Sequence, residues 1–350
     1  METPDRVHCR WHPFEKIWIL NSPQRINRKW LGKKGASQPT LAAYDPDCPF
    51  CPGNTREDGG VNPKDATAYP FAFANATPAI LPPDDGDVSV ETQNRSGRSL
   101  FRAQAIYGVS RIVNFHPQHN LTFSLMSAKE CERVVKFWQK EYQELGELPY
   151  VSTVNIFENN GFGSSLSHPH NQIMCSSEIP PYLAQILEAL REHQEHSGKC
   201  LLCQTQEEEI HLDERVIYRN KDFVAFVPFW AIWPFEIWVV AKKHKKSLVD
   251  LNDRELTNLA LAYQMITIKL DNLFKAPCPY SSSIYQAPVD GKDYPEMHFH
   301  LVFRPPVLRD TEVWKWMVGY EFMAQPQRDI TPEQAAELLK ATPNSHYSNS

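Results

Sequence analysis

At 350 residues the chain is long enough for one large unit or two of ordinary size, and 42% hydrophobic residues can form a real core. The net charge of -6 is mild and spread along the chain, which gives no support to nucleic-acid binding. The N-terminal METPDRVHCRWHPF lacks the charged start and apolar stretch of a secretion signal, so a cytoplasmic protein is expected.

Arg25 and Arg28 follow the first expected strand, in SPQRINRKW, where they either neutralise a diphosphate or form a solvated basic loop. Cys48-Pro-Phe-Cys51 comes next, then a polar stretch in which PPDDGDVSVETQNRSGRS (82–99) reads as an exposed loop. A strand at RIVNF (111–115) leads to His119. The spacing then predicts a helix from Ser127, with Glu130 completing a capping box and Cys131, Val134, Val135, Trp138, Tyr142 and Leu145 on one face. The strand VSTVNIF (151–157), a Gly/Ser loop (161–165) and His168-Pro169-His170 close the series.

The second half repeats this order. Cys200-Leu-Leu-Cys203 precedes strands around 216–227 and 235–241, then His244. A helix is expected from Asn252, capped by Glu255, followed by a strand at 283–286 and by His298-Phe299-His300. The apolar run Phe223–Ala241 is long enough to span a membrane, but Pro228, Pro234 and Glu236 favour two buried strands joined by a turn. No membrane association is expected.

Eight cysteines without a secretion signal point away from a disulfide framework and towards thiolate ligands. Cys48, Cys51, His119 and His168 make a two-thiolate, two-imidazole set that suits zinc. Cys200, Cys203, His244 and His298 repeat it, with His300 competing for the fourth place. If His168-Pro169-His170 lies on a strand, both imidazoles share a face. One can then serve a metal while the other, neutral at pH 7, attacks phosphorus.

The stretch ENNGFGSSLSHPHNQ (158–172) resembles the active-site segment of galactose-1-phosphate uridylyltransferases, members of the histidine-triad superfamily. VPFWAIWPFE (227–236), KLDNLF (269–274) and PPVLRDTEVWKWMVGYEFMAQPQRDITPEQAAELL (305–339) resemble further segments of that family. The resemblance implies an α+β fold of two fused histidine-triad-like halves (1–190 and 191–350), each an antiparallel sheet with a long helix. It implies uridylyl transfer from UDP-glucose to a hexose 1-phosphate through a covalent intermediate on His170, in a homodimer.

By the same resemblance Ser165 and Gln172 hold the transferred phosphate, Asn159 is a nearby polar contact, and Arg25 and Arg28 meet the nucleotide-sugar phosphates. Asn75 lies in the nucleoside-contacting segment FANATPA (73–79), where Ala76 stands in place of the usual aspartate. Lys315, Val318, Tyr320, Glu321 and Gln327 match sugar contacts, often given by the partner subunit. Tyr285 stands where many members have a metal-ligating histidine; the Cys200/Cys203 pair resembles plant relatives with a second zinc. Two other readings stay open: a nucleotide-sugar phosphorylase that uses inorganic phosphate, and a non-catalytic nucleotide-binding zinc protein.

Overall fold

The computed structural model describes residues 6–27, 41–83, 92–93, 103–161, 164, 166–310 and 312–349. Arg28, Ser165 and residues 84–91 and 94–99 of the expected loop therefore lie outside the described residues. The first half contributes β1 (His8–His12), β2 (Ile17–Asn21), β3 (Phe71–Ala74), β4 (Thr92–Gln93), β5 (Ala103–Gln104), β6 (Ser110–Asn114), α1 (Ala128–Gly146), β7 (Thr153–Asn160) and β8 (His170–Ser176). Helices α2 (Pro181–Ser197) and α3 (Leu201–Leu212) lead into β9 (Val216–Arg219), β10 (Phe223–Phe226), β11 (Ile237–Ala241), α4 (Asp253–Phe274), β12 (Tyr280–Tyr285) and β13 (His300–Arg304). The tail forms β14 (Val307–Asp310), β15 (Val313–Trp314), α5 (Tyr320–Met323), β16 (Gln327–Arg328) and α6 (Pro332–Lys340).

One antiparallel sheet runs through both halves in the order β3-β6-β8-β7-β12-β13-β11-β10-β9. The pairing of β7 with β12 joins the halves, so each H-x-H segment leads into the strand next to that seam. The chain is α+β, as its motifs implied. The apolar run at 223–241 resolves into β10 and β11 around a turn that contains Pro228 and Pro234. No helix among the described residues is long and apolar enough to cross a membrane.

The long helices form where their caps and stripes predict. Ser127 and Glu130 exchange capping bonds at α1, and Asn252 and Glu255 do so at α4. Both helices pack on one face of the sheet, burying Val134, Trp138, Leu259 and Tyr263 against Val113, Ile173, Ile237 and Phe303. Each such side chain contributes about 1.5–3 kcal/mol of hydrophobic stabilisation.

The other face is covered unevenly. Over the second half, Phe14 from the β1–β2 hairpin joins Leu187, Leu190, Leu202, Trp230 and Trp238 in a second core. Over the first half, the described residues form a small cluster of Cys48, Phe50 and Cys51, with Phe73, Ile112 and Leu166 against it. That thinner cover leaves room for a cavity over the first half.

At the seam, Glu158 of β7 is almost fully buried, and its Oε2 accepts from Tyr263 Oη at 2.5 Å and Tyr280 Oη at 3.1 Å. Burial pushes its carboxyl up to about 7. A carboxyl whose folded pKa exceeds its unfolded value contributes stability that is fully present below pH 4.5 and is lost as pH rises through about 7. Glu158→Gln keeps an acceptor for the two hydroxyls without the charge. At pH 8 it should exceed the wild type in unfolding free energy by up to about 3 kcal/mol, a gap closing towards pH 4.5. Denaturant unfolding of both proteins across that range checks it, and a gap that does not change with pH would show Glu158 ionised throughout.

Candidate active site and metal centres

Two four-residue clusters stand at equivalent places in the halves. In the first, Cys48, Cys51, His119 and His168 are all buried and their ligand atoms lie within 4.8 Å of one another. His168 Nδ1 is 3.9 Å from Cys48 Sγ and 3.7 Å from Cys51 Sγ, and His119 Nδ1 is 3.6 Å from Cys51 Sγ. Zinc bonds of about 2.0–2.3 Å at tetrahedral angles place neighbouring ligand atoms about 3.3–3.8 Å apart, so the spacing fits. His168 Nε2 meets the His116 carbonyl at 2.8 Å; donating there, it leaves Nδ1 unprotonated towards the sulfurs. Burial pushes the Cys48 thiol up to about 11 and the His168 imidazole down to about 4.

The second cluster, Cys200, Cys203, His244 and His298, has the same geometry with more exposure. His298 Nδ1 lies 3.5 Å from Cys200 Sγ and 3.3 Å from Cys203 Sγ, and His244 Nδ1 lies 3.6 Å from Cys203 Sγ. His298 Nε2 meets the Ala241 carbonyl at 2.7 Å, repeating the tether of His168. His298, and not His300, stands in the cluster. Cys200 caps α3, accepting from the backbone N–H of Cys203. A hydrogen bond from Cys203, with further help from His244 and His298, pulls the Cys200 thiol well down.

His170 opens β8, while His168 and Pro169 precede the strand. The two imidazoles are thus separated by a strand boundary, and they do not share a strand face. His170 Nδ1 is 2.8 Å from the His168 carbonyl; a proton there leaves the Nε2 lone pair without a partner among the described residues. Phe50 packs edge-on against the ring at 5.2 Å. Burial lowers its pKa, which keeps the imidazole neutral at pH 7.

His170 lines a cavity of about 350 Å³ together with Phe50, Phe73, Asn75, Ile112 and Gln172. The register explains the grouping: Gln172 pairs with Ile112, and Ile112 with Phe73, in one row across β8, β6 and β3. Arg56, Glu57 and Asp58 also line the cavity. Sequence reasoning missed these three; their signal was a Gly-Gly-closed turn directly after the first Cys pair.

His300 has the same tether, Nδ1 to the His298 carbonyl at 2.8 Å. Its surroundings differ. The ring is stacked between Trp238 and Tyr285, each 5.0 Å away, and its Nε2 is buried without a hydrogen-bond partner among the described residues. Burial pushes its pKa down to about 4.

The remaining expected contacts among the described residues do not line the His170 cavity of this chain. Asn159 Oδ1 accepts from Ser281 Oγ at 2.8 Å. Arg25 Nε and Gln327 Nε2 both donate to Asp329 Oδ1, at 3.0 and 3.1 Å. Lys315 Nζ pairs with Glu321 Oε1, and Glu321 Oε2 accepts from the Val318 backbone N–H. Val318 and Tyr320 are exposed, as are Trp316, Phe322 and Met323 beside them.

The galactose-1-phosphate uridyl transferase N-terminal domain matches residues 1–180, and the C-terminal domain of the same name matches residues 186–350. The galactose-1-phosphate uridylyltransferase of Haemophilus influenzae is 37% identical over 349 residues, covering 99% of this chain and 97% of that protein. Among solved structures, a uridylyltransferase aligns with a TM-score of 0.73 and 26% identity, covering 95% of this chain and 97% of its own. An ADP-glucose phosphorylase from Arabidopsis thaliana, solved with bound ADP-glucose, aligns with a TM-score of 0.77 at 21% identity, covering 97% and 99%. That last likeness speaks for the fold.

Proposed function

The chain belongs to the galactose-1-phosphate uridylyltransferase family, and on that premise we propose that it transfers UMP from UDP-glucose to galactose 1-phosphate through a uridylyl-histidine at His170. One observation carries the reading: of two H-x-H segments with the same backbone tether, that of His170 lines a cavity, whereas His300 is fully buried between Trp238 and Tyr285.

His170 Nε2 attacks the α-phosphorus of UDP-glucose, forming an N–P bond as the P–O bond to glucose 1-phosphate breaks. The His168 carbonyl holds the Nδ1 proton and orients the ring. A phosphate oxygen of galactose 1-phosphate then attacks the same phosphorus and the N–P bond breaks, giving UDP-galactose and free His170. Gln172, two residues along the strand, is suited to donate to the phosphate, with Ser165 in the preceding loop. Asn75 serves the nucleoside and Asn159 adds a polar contact.

The two Cys/His sets would each hold a zinc ion, and with four protein ligands both are structural. The first set fixes His168 in the N-terminal half (1–190), and the second set pins α3 to the sheet in the C-terminal half (191–350). Arg25, Arg28, Lys315, Val318, Tyr320, Glu321 and Gln327 would serve the cavity of a second copy. The exposed apolar side chains at 316–323 favour a homodimer that brings them there. Free thiols committed to metal fit a reducing cytoplasm.

The test is discharge of pre-loaded enzyme. Uridylylated protein mixed separately with galactose 1-phosphate and with inorganic phosphate, at equal concentration, should react faster with the sugar phosphate. Glu321→Ala should slow that discharge far more than it slows loading from a donor without a hexose, because unpaired polar groups penalise the wrong ligand. Faster discharge by phosphate would replace the transferase with a nucleotide-sugar phosphorylase.

A further inference from the structure

A cavity that receives a diphosphate ought not to be lined by carboxylates, yet Glu57 and Asp58 both line the one that holds His170. Asp58 is engaged within the protein. Its Oδ1 accepts from the Gly60 backbone N–H at 2.9 Å and from Arg56 Nε at 3.1 Å, and these bonds hold its carboxyl below the usual range. Arg56 is engaged too, donating from Nη1 to Asn62 Oδ1 at 3.0 Å. Glu57 is exposed and has no such partner among the described residues.

The sheet shows which end of the cavity this turn occupies. The Arg56 guanidinium lies 4.5 Å over the Phe73 ring, on β3. That strand is the sheet edge, two places from β8. With neighbouring strands about 4.8 Å apart, the backbone at Phe73 is about 10 Å from its row partner Gln172. His170 and Gln172 therefore mark the phosphate end, and the 56–58 turn stands over the far end. A nucleotide that reacts at His170 extends its nucleoside in that direction.

The acceptors at this far end are few. Ala76 lines the cavity with a methyl group, and Asn75 Oδ1 already accepts from the Thr77 backbone N–H at 3.0 Å. A nucleoside brings two kinds of donor. The N3–H of uracil sits between two carbonyl oxygens, which repel a carboxylate. The ribose 2′,3′-diol presents two adjacent O–H groups and matches the two oxygens of a carboxylate. We propose that Glu57 binds the ribose 2′,3′-diol of the nucleotide donor and is the residue that selects ribonucleotides at this site. The proposal rests on the nucleotidyl-transfer reading at His170.

The test compares UDP-glucose with its 2′-deoxyribose counterpart as donor. Wild-type enzyme should prefer UDP-glucose by about 10- to 100-fold in kcat/KM, the range expected for charge-assisted hydrogen bonds, and mainly through KM. Glu57→Ala should lose most of that advantage, with a smaller loss on the deoxy donor, which keeps its 3′-OH. Glu57→Gln, with one acceptor oxygen, should fall between them. Equal loss on both donors would overturn the proposal, and so would no loss on UDP-glucose. Either result, with wild-type turnover intact, leaves the uridylyl-transfer reading standing. Failure of the wild type to use UDP-glucose would overturn both.

Discussion

His170→Asn is expected to lower turnover by on the order of 10⁴-fold or more while leaving the fold intact. Asparagine can keep a donor towards the His168 carbonyl, so the backbone tether has a substitute. Its amide nitrogen has no available lone pair and cannot form the N–P bond. The ring meets Phe50 at the cavity wall and lies outside the α1–α4 core, so little packing is lost. After incubation with UDP-glucose, wild-type protein should gain the mass of a uridylyl group and the variant should not. His300→Asn is the matched control. It removes a ring stacked between Trp238 and Tyr285, so it should lower stability yet leave the mass increase in place. A mass increase in the His170 variant would refute the assigned nucleophile. Because burial lowers the His170 pKa, protonation should reduce wild-type loading only as pH falls below the ordinary imidazole value of 6.5.

The matched halves were legible in the sequence because their signals are local. Capping boxes at Ser127 and Asn252, apolar stripes on α1 and α4, and two Cys pairs followed by spaced histidines need no tertiary context. The strand boundary inside His168-Pro169-His170 was not legible. It depends on β8 pairing from His170 onward, with His168 held aside by the His116 carbonyl. The difference between His170 and His300 was also hidden. Both carry the same motif, and the choice is made by Phe14, Trp230 and Trp238, which fill one side of the sheet from distant parts of the chain. The Arg56–Asp58 turn escaped notice for a related reason. Its place over β3 follows from the fold of the first Cys loop and a guanidinium on Phe73, neither of which leaves a periodic pattern.

The two metal sets should differ in what their loss does. All four ligands of the first are buried, and its His168 carries the carbonyl that orients His170. In the second, three of the four ligands are less than fully buried, and the equivalent carbonyl orients only the plugged His300. Cys51→Ala should therefore cost more than about 4 kcal/mol, the scale of a lost metal or buried network, and should suppress uridylylation as well. Cys203→Ala should cost less, because water can reach the opened site, and should leave uridylylation largely intact at temperatures where the protein stays folded. Elemental analysis of metal-replete wild type should give close to two zinc ions per chain, and each variant close to one. A wild-type value near one would remove the second set as a site. If Cys51→Ala keeps both ions, or takes up UMP at the wild-type rate, then the first ligand set or its link to His170 through the His168 carbonyl is wrong.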